Sequence, residues 1–152
     1  CAADLGRTAL AGVDGLDAFV DAATQVIGVV EGPGLPLFVG VRAEPVPADT
    51  PAAAMHQAMV LRELRGSVHL AAVVANGLPT AVAHAITRPT ETELFGYPKD
   101  AAESVTDDDR ARLARADELT EELLLPAYAT LSEAQGEALV AGATAMHAAI
   151  VA

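Results

Sequence analysis

Tryptophan is absent from this chain of 152 residues, aromatics make up 3% of it, and cysteine occurs once. Each shortage excludes something. β-Sandwiches and barrels lean on aromatic and β-branched side chains, so a chain this poor in rings is not built that way. A single cysteine excludes an internal disulfide framework and a cysteine-based zinc site. Cations are scarce too: 9 Lys and Arg stand against 21 Asp and Glu, a formal charge of −12. Such a surface repels phosphate backbones and acidic membranes unless its few cations gather in one place. A membrane-spanning run is also missing. Ala138 to Ala152 carries no charge, but it is about fifteen residues long and interrupted by Gly142, Thr144 and His147. A span needs about twenty residues. This stretch reads as a buried core helix.

What is present is aliphatic. Hydrophobic residues make up 52% of the chain, chiefly Ala, Val and Leu, which suits helices packed closely through small side chains. The expectation is an all-α, multi-helix bundle with little or no strand, forming one helical domain over residues 1–152.

The pattern divides into elements. Leu16, Phe19, Val20, Ala23, Ile27 and Val30 recur at helical spacing within a first helix, Val13 to Val30, stopped by Gly32-Pro33-Gly34. Leu35 to Val41 reads as a short extended piece, and Pro45, Pro47 and Pro51 stiffen the connector after it. Asp49 or Thr50 caps a long helix, about Ala52 to Ala75, that ends at Asn76-Gly77. A short helix, Thr80 to Thr87, lies between Pro79 and Pro89. Residues 89–105 form a polar loop holding Phe95 and Tyr97. Thr106 and Asp109 make a capping box for a helix that Pro126 should kink or break after Leu125. Ser132 and Gln135 make a second box for the last helix, to about Val151.

Cys1 admits three readings: a lipid-bearing residue, a self-exposed hydrolase nucleophile, or simply the first residue given. The last is favoured, because a lone cysteine carries little information.

The run Leu61-Arg62-Glu63-Leu64-Arg65-Gly66-Ser67-Val68-His69-Leu70-Ala71-Ala72 resembles the signature of an actinobacterial helix-turn-helix-like family of SalK type, which reads roughly L-R-E-H-R-G-D-G-H-x-A-A-L. Gly34 to Phe38, the proline connector, and Asp117 to Leu131 are also similar to that family. The resemblance covers about residues 13–140. Leu64 stands where the family has its first motif histidine, and Ser67-Val68 where it has Asp-Gly. The resemblance implies a helix-turn-helix or winged-helix-like core. It also implies that the chain is the carboxy-terminal half of a longer or split protein.

Two functional readings follow. In the first, the domain is a non-catalytic binding or assembly module. On the long helix, Arg62 and His69 lie within about 20° of each other, with Arg65 and Gly66 to either side. Met55 and Val73 flank this strip, while Val60, Leu61, Leu64, Val68 and Ala71 form an apolar arc facing the core. Glycine inside a helix costs about 1 kcal/mol relative to alanine, so Gly66 is expected to admit a close neighbour. Two guanidiniums and an imidazole beside it suit a small anionic ligand or a protein partner. The partner expected is a second copy or the missing amino-terminal half.

In the second reading, the domain is a dimeric winged-helix-like regulator. Its recognition helix would present Thr80, His84, Thr87 and Arg88. One permanent cation and no Asn or Gln for adenine edges make nucleic acid the less expected partner. No cofactor or metal is expected. His56, His69, His84 and His147 never fall at zinc-helix spacing, and Asp107-Asp108-Asp109 lacks the glycine and glutamate of a calcium loop. No nucleophile has a recognisable base, so an enzyme is not expected, and the compartment expected is the cytoplasm.

Overall fold

The computed structural model describes residues 2–151, apart from the side chain of Lys99; Cys1, and with it the three readings above, lies outside the described residues. Seven α-helices and no strand occur among them: α1 (Ala2–Ala9), α2 (Leu16–Val29), α3 (Pro36–Arg42), α4 (Thr50–Ala75), α5 (Thr80–Thr87), α6 (Asp107–Tyr128) and α7 (Glu133–Val151). Two 3-10 turns, Glu93–Phe95 and Lys99–Ser104, occupy the loop between α5 and α6. The all-α expectation holds. The chain forms two compact units, Cys1–Ser67 with Leu125–Ala152, and Val68–Leu124.

In the first unit α2 packs against α7. Glycine permits this: a Cβ on Gly142 would sit 2.5 Å from the Phe19 Cβ. Gly6 does the same for α1, where a Cβ would meet the Pro51 carbonyl oxygen at 2.5 Å. Polar pairs fix the register of these contacts. Gln25 donates to the Thr130 carbonyl (2.6 Å) and accepts from Gln135 (2.7 Å), while the buried Gln57 donates to Thr24 (2.7 Å). Asp49 is the residue that caps α4, accepting from the Ala52 N–H at 3.2 Å. Arg7 grips the same carboxylate at 3.0 Å.

Several expectations need correction in this unit. Residues 36–42 are helical rather than extended. Pro36 occupies the first turn, where a missing N–H costs nothing. The helix buries Phe38, whose N–H donates to Ser67 Oγ (3.3 Å) and whose ring lies under the Arg42 guanidinium at 4.6 Å. α6 does not stop at Leu125 but continues through Pro126 to Tyr128. A proline this near a helix end forfeits one bond of the final turn, and the Ala129 N–H still reaches the Leu125 carbonyl (2.8 Å). Nor is the uncharged stretch from Ala138, which lies within α7, a buried core helix. Only Gly142 and Met146 are buried on it, and Val140 and Val151 are about two-thirds exposed. Of the apolar arc on α4, Val60, Leu64 and Val68 are buried as expected, while Ala71 is exposed.

The second unit has a smaller core. Ala72, Val73, Leu78, Ala83, Leu113 and Ala116 are buried together, with Val82, Ile86 and Leu119 packed at the edge. These residues come from the end of α4, the turn after it, α5, and the first part of α6. At the start of α6 the capping box forms as the sequence implies. The Asp109 N–H donates to Thr106 Oγ1 (3.2 Å), and Asp109 in return accepts from the Thr106 N–H (2.9 Å).

Candidate ligand cavity on the helix-turn-helix

The site begins with a backbone stop. Gly77 adopts φ of +66°, a left-handed conformation that favours glycine. Its N–H donates to the Val74 carbonyl (3.0 Å), and the next N–H, of Leu78, reaches the Val73 carbonyl (3.2 Å). This pair of bonds is a Schellman motif, and its usual apolar contact is present because Leu78 and Val73 share the core. Four residues, 76–79, separate α4 from α5, and the helix axis turns by 117° across them. Such an angle across a glycine-containing turn is that of a helix-turn-helix.

The bend folds α5 back so that it and the end of α4 border a half-open cavity of about 210 Å³. Leu70, Val73 and Ala83 supply its apolar surface, and His69, Thr80, His84, Thr87 and Tyr97 its polar groups.

The hydrogen bonding of His69 follows from its neighbours. Its Nδ1 lies 3.2 Å from Thr120 Oγ1 and 3.5 Å from an Asp117 carboxylate oxygen. The buried Thr120 hydroxyl already donates to the Ala116 carbonyl at 2.7 Å, so toward His69 it accepts. A carboxylate only accepts. Both neighbours therefore call for a donor at Nδ1.

His84 is placed differently. Its ring lies 4.4 Å from that of Phe95 and 5.4 Å from that of Tyr97. Its Nε2 is buried without a hydrogen-bond partner. An unpaired buried polar atom costs about 1–3 kcal/mol, so this one calls for an explanation. Thr87 cannot supply the bond, because its hydroxyl points back to the Ala83 and His84 carbonyls (3.2 Å each).

The residues singled out from the sequence are thus regrouped. His69, assigned to a ligand strip, and Thr80, His84 and Thr87, assigned to a DNA-reading face, line one cavity. Arg62 and Arg65 do not line it. Arg62 is exposed and pairs with Glu63 on its own helix, and Arg65 is exposed. At Gly66 nothing in the chain lies within 4 Å of where a Cβ would stand. Arg88 is tied to Glu91 at 3.1 Å.

Sequence reasoning missed Tyr97, Leu70, Thr120 and Asp117. A signal existed for the first: Phe95 and Tyr97 are two of only five aromatic residues, and both sit in a polar loop. The described residues include no group of three or more His, Cys, Asp or Glu able to hold a metal ion. No single helix among them is long and apolar enough to cross a membrane.

A helical bundle whose fourth and fifth helices make this turn is a helix-turn-helix domain. Over residues 1–100 the chain matches the model of a family described as a helix-turn-helix family, and it belongs to that family. No curated protein and no solved structure matches it.

Proposed function

We propose that this is a non-catalytic, ligand-binding member of the helix-turn-helix family, of the SalK type found in actinobacteria, whose turn serves as the frame of a small-molecule cavity. The observation that carries this reading is the fate of the would-be recognition helix. A DNA reader leaves that helix open to base edges. Here His84 packs at a tilt against two aromatic rings, Thr80 and Thr87 line a half-open cavity at the surface, and the one guanidinium of the group pairs with a glutamate three residues on. The formal charge of −12 argues in the same direction, because nonspecific affinity for duplex comes from neutralised phosphates.

The turn geometry and the family match favour a second reading, in which a dimer binds duplex DNA. Fluorescence anisotropy with a labelled duplex pool separates the two. The expected result is no binding at physiological salt. Nanomolar binding with a steep salt dependence, weakened by Arg88→Ala, would establish the DNA reader and end the first reading.

A further inference from the structure

We infer that the outward face of α7 is an interface on which a second copy of this chain docks, α7 against α7 about a two-fold axis. The pairing is separate from the small-molecule cavity, whose lining residues all belong to the other unit.

The side chains of α7 are distributed in reverse of an ordinary surface helix. Gly142 and Met146 are buried, whereas the branched Val140, Ile150 and Val151 are 67%, 46% and 66% exposed. At about 100° per residue, these three fall with Ala143, Thr144 and His147 in one arc of about 120°. All six are exposed. No charged residue follows Glu137 on this helix. A surface helix turns charged side chains to water, so an uncharged, largely aliphatic outer face marks a contact.

Spacing defines the kind of contact. Val140, then Ala143 or Thr144, then His147, then Ile150 or Val151 recur three and four residues apart, the rhythm of a seam between two helices. The seam runs about 17 Å from Val140 to Val151. Val140, Ala143, His147 and Ile150 also wall a groove of about 470 Å³, whose floor is the buried Phe19, Met55 and Met146. A small lipophile in that groove would leave Val151 bare, because Val151 does not line it. A helix laid along the seam covers both.

Charge and symmetry select the occupant. The chain carries a formal charge of −12, so two copies repel each other wherever carboxylates meet. Along the seam none do, and no Asp, Glu, Lys or Arg lines the groove. The partner must bring an uncharged aliphatic helix face, and α7 is one. A two-fold axis sets the same patch on both sides, so the branched side chains of each copy meet the groove of the other. Thr144 does not obstruct burial, because its hydroxyl already donates to the Val140 carbonyl (2.8 Å).

Sedimentation equilibrium of the full chain, over a micromolar to submillimolar range, tests the pairing. The expected result is a reversible dimer. Val140→Glu and Val151→Glu each place a carboxylate in the seam at an exposed position, where the fold tolerates it. Each should raise the dimer dissociation constant at least tenfold with the circular dichroism unchanged. Leu94→Glu, at an 80% exposed leucine of the other unit, adds the same charge and should leave the constant within about twofold. In a mixture of isotope-labelled and unlabelled chains, filtered NOEs should link Val140 and Ile150 methyls to α7 of the other copy; if a variant unfolds, these NOEs decide alone. A chain that stays monomeric throughout would overturn the pairing, as would a dimer indifferent to both α7 variants. A monomer that takes up N-phenyl-1-naphthylamine one to one would give the groove to a small lipophile and overturn it as well.

Discussion

The two units use their special residues in opposite ways. In Cys1–Ser67 with Leu125–Ala152, glycines stand where helices touch: Gly142 against Phe19, and Gly6 against the backbone of Pro51 and Ala52. Contact there is so close that a methyl group has nowhere to go. In Val68–Leu124 the helices are splayed by a 117° turn, the core is small, and the space left over is walled by two histidines. One unit is knit together where glycines let helices touch, and the other is organised around one sharp turn. Close packing of the first kind tolerates little change in volume.

The largest effect that would test this contrast is on the small core. Leu78 is 2% exposed and closes the Schellman turn, so Leu78→Ala should cost about 2–5 kcal/mol. Hydrogen exchange should show the loss in the amides of Val68–Leu124, with those of α2 and α7 still protected. Equal loss in α2 and α7 would mean that the units unfold as one cooperative block, and the contrast would dissolve.

A smaller and two-signed effect is expected at the glycines. Gly142→Ala should destabilise by about 1–3 kcal/mol, because the added methyl collides with Phe19 and the surrounding helix must shift. Gly66→Ala, where the space is open, should instead stabilise by up to about 1 kcal/mol through helix propensity alone. Urea unfolding of the two variants measures both. The same sign for both would show that helical propensity, rather than close approach, governs Gly142.

The smallest effect concerns acid. The Thr106 hydroxyl, and then its N–H, hold the Asp109 carboxyl below its ordinary value, with a weaker contribution from Arg112. A carboxyl with a lowered folded-state pKa contributes stability that is present above its unfolded value, about 3.9. That contribution is lost as pH falls through the folded value. Thr106→Ala should therefore raise the Asp109 pKa toward that of a free aspartate, which carboxyl-carbon titration reads directly. It should also flatten the fall in stability below about pH 4. An unmoved Asp109 would show that the capping box does not persist in solution.

Much of the fold was legible because its signals are local. Asp49, Asn76-Gly77, Thr106 with Asp109, and Ser132 with Gln135 each mark a helix end by chemistry spanning four residues or fewer. What misled was pattern without context. Phe38, Val39 and Val41 have the composition of a strand, yet the proline before them starts a helix. The uncharged stretch of α7 from Ala138 has the composition of a core helix, but composition does not say how many faces have neighbours. The site was legible residue by residue and illegible as a whole. His69 and His84 are fifteen positions apart on two helices, and helical periodicity ends where the chain turns. Only the bend at Gly77 puts them in one cavity.

The pairing of α2 with α7 has a consequence for synthesis. The unit Val68–Leu124 is continuous in sequence, so all of its partners leave the ribosome together. The other unit is interrupted, because α2 ends at Val29 and the helix that covers it begins at Glu133. At roughly 5–20 residues per second, α2 waits about 5–20 seconds for its partner. During that interval the surface of Phe19 that packs on Gly142 is uncovered, while Thr24 can already pair with Gln57 of α4. The first long helix thus completes its packing only when the last one has been made.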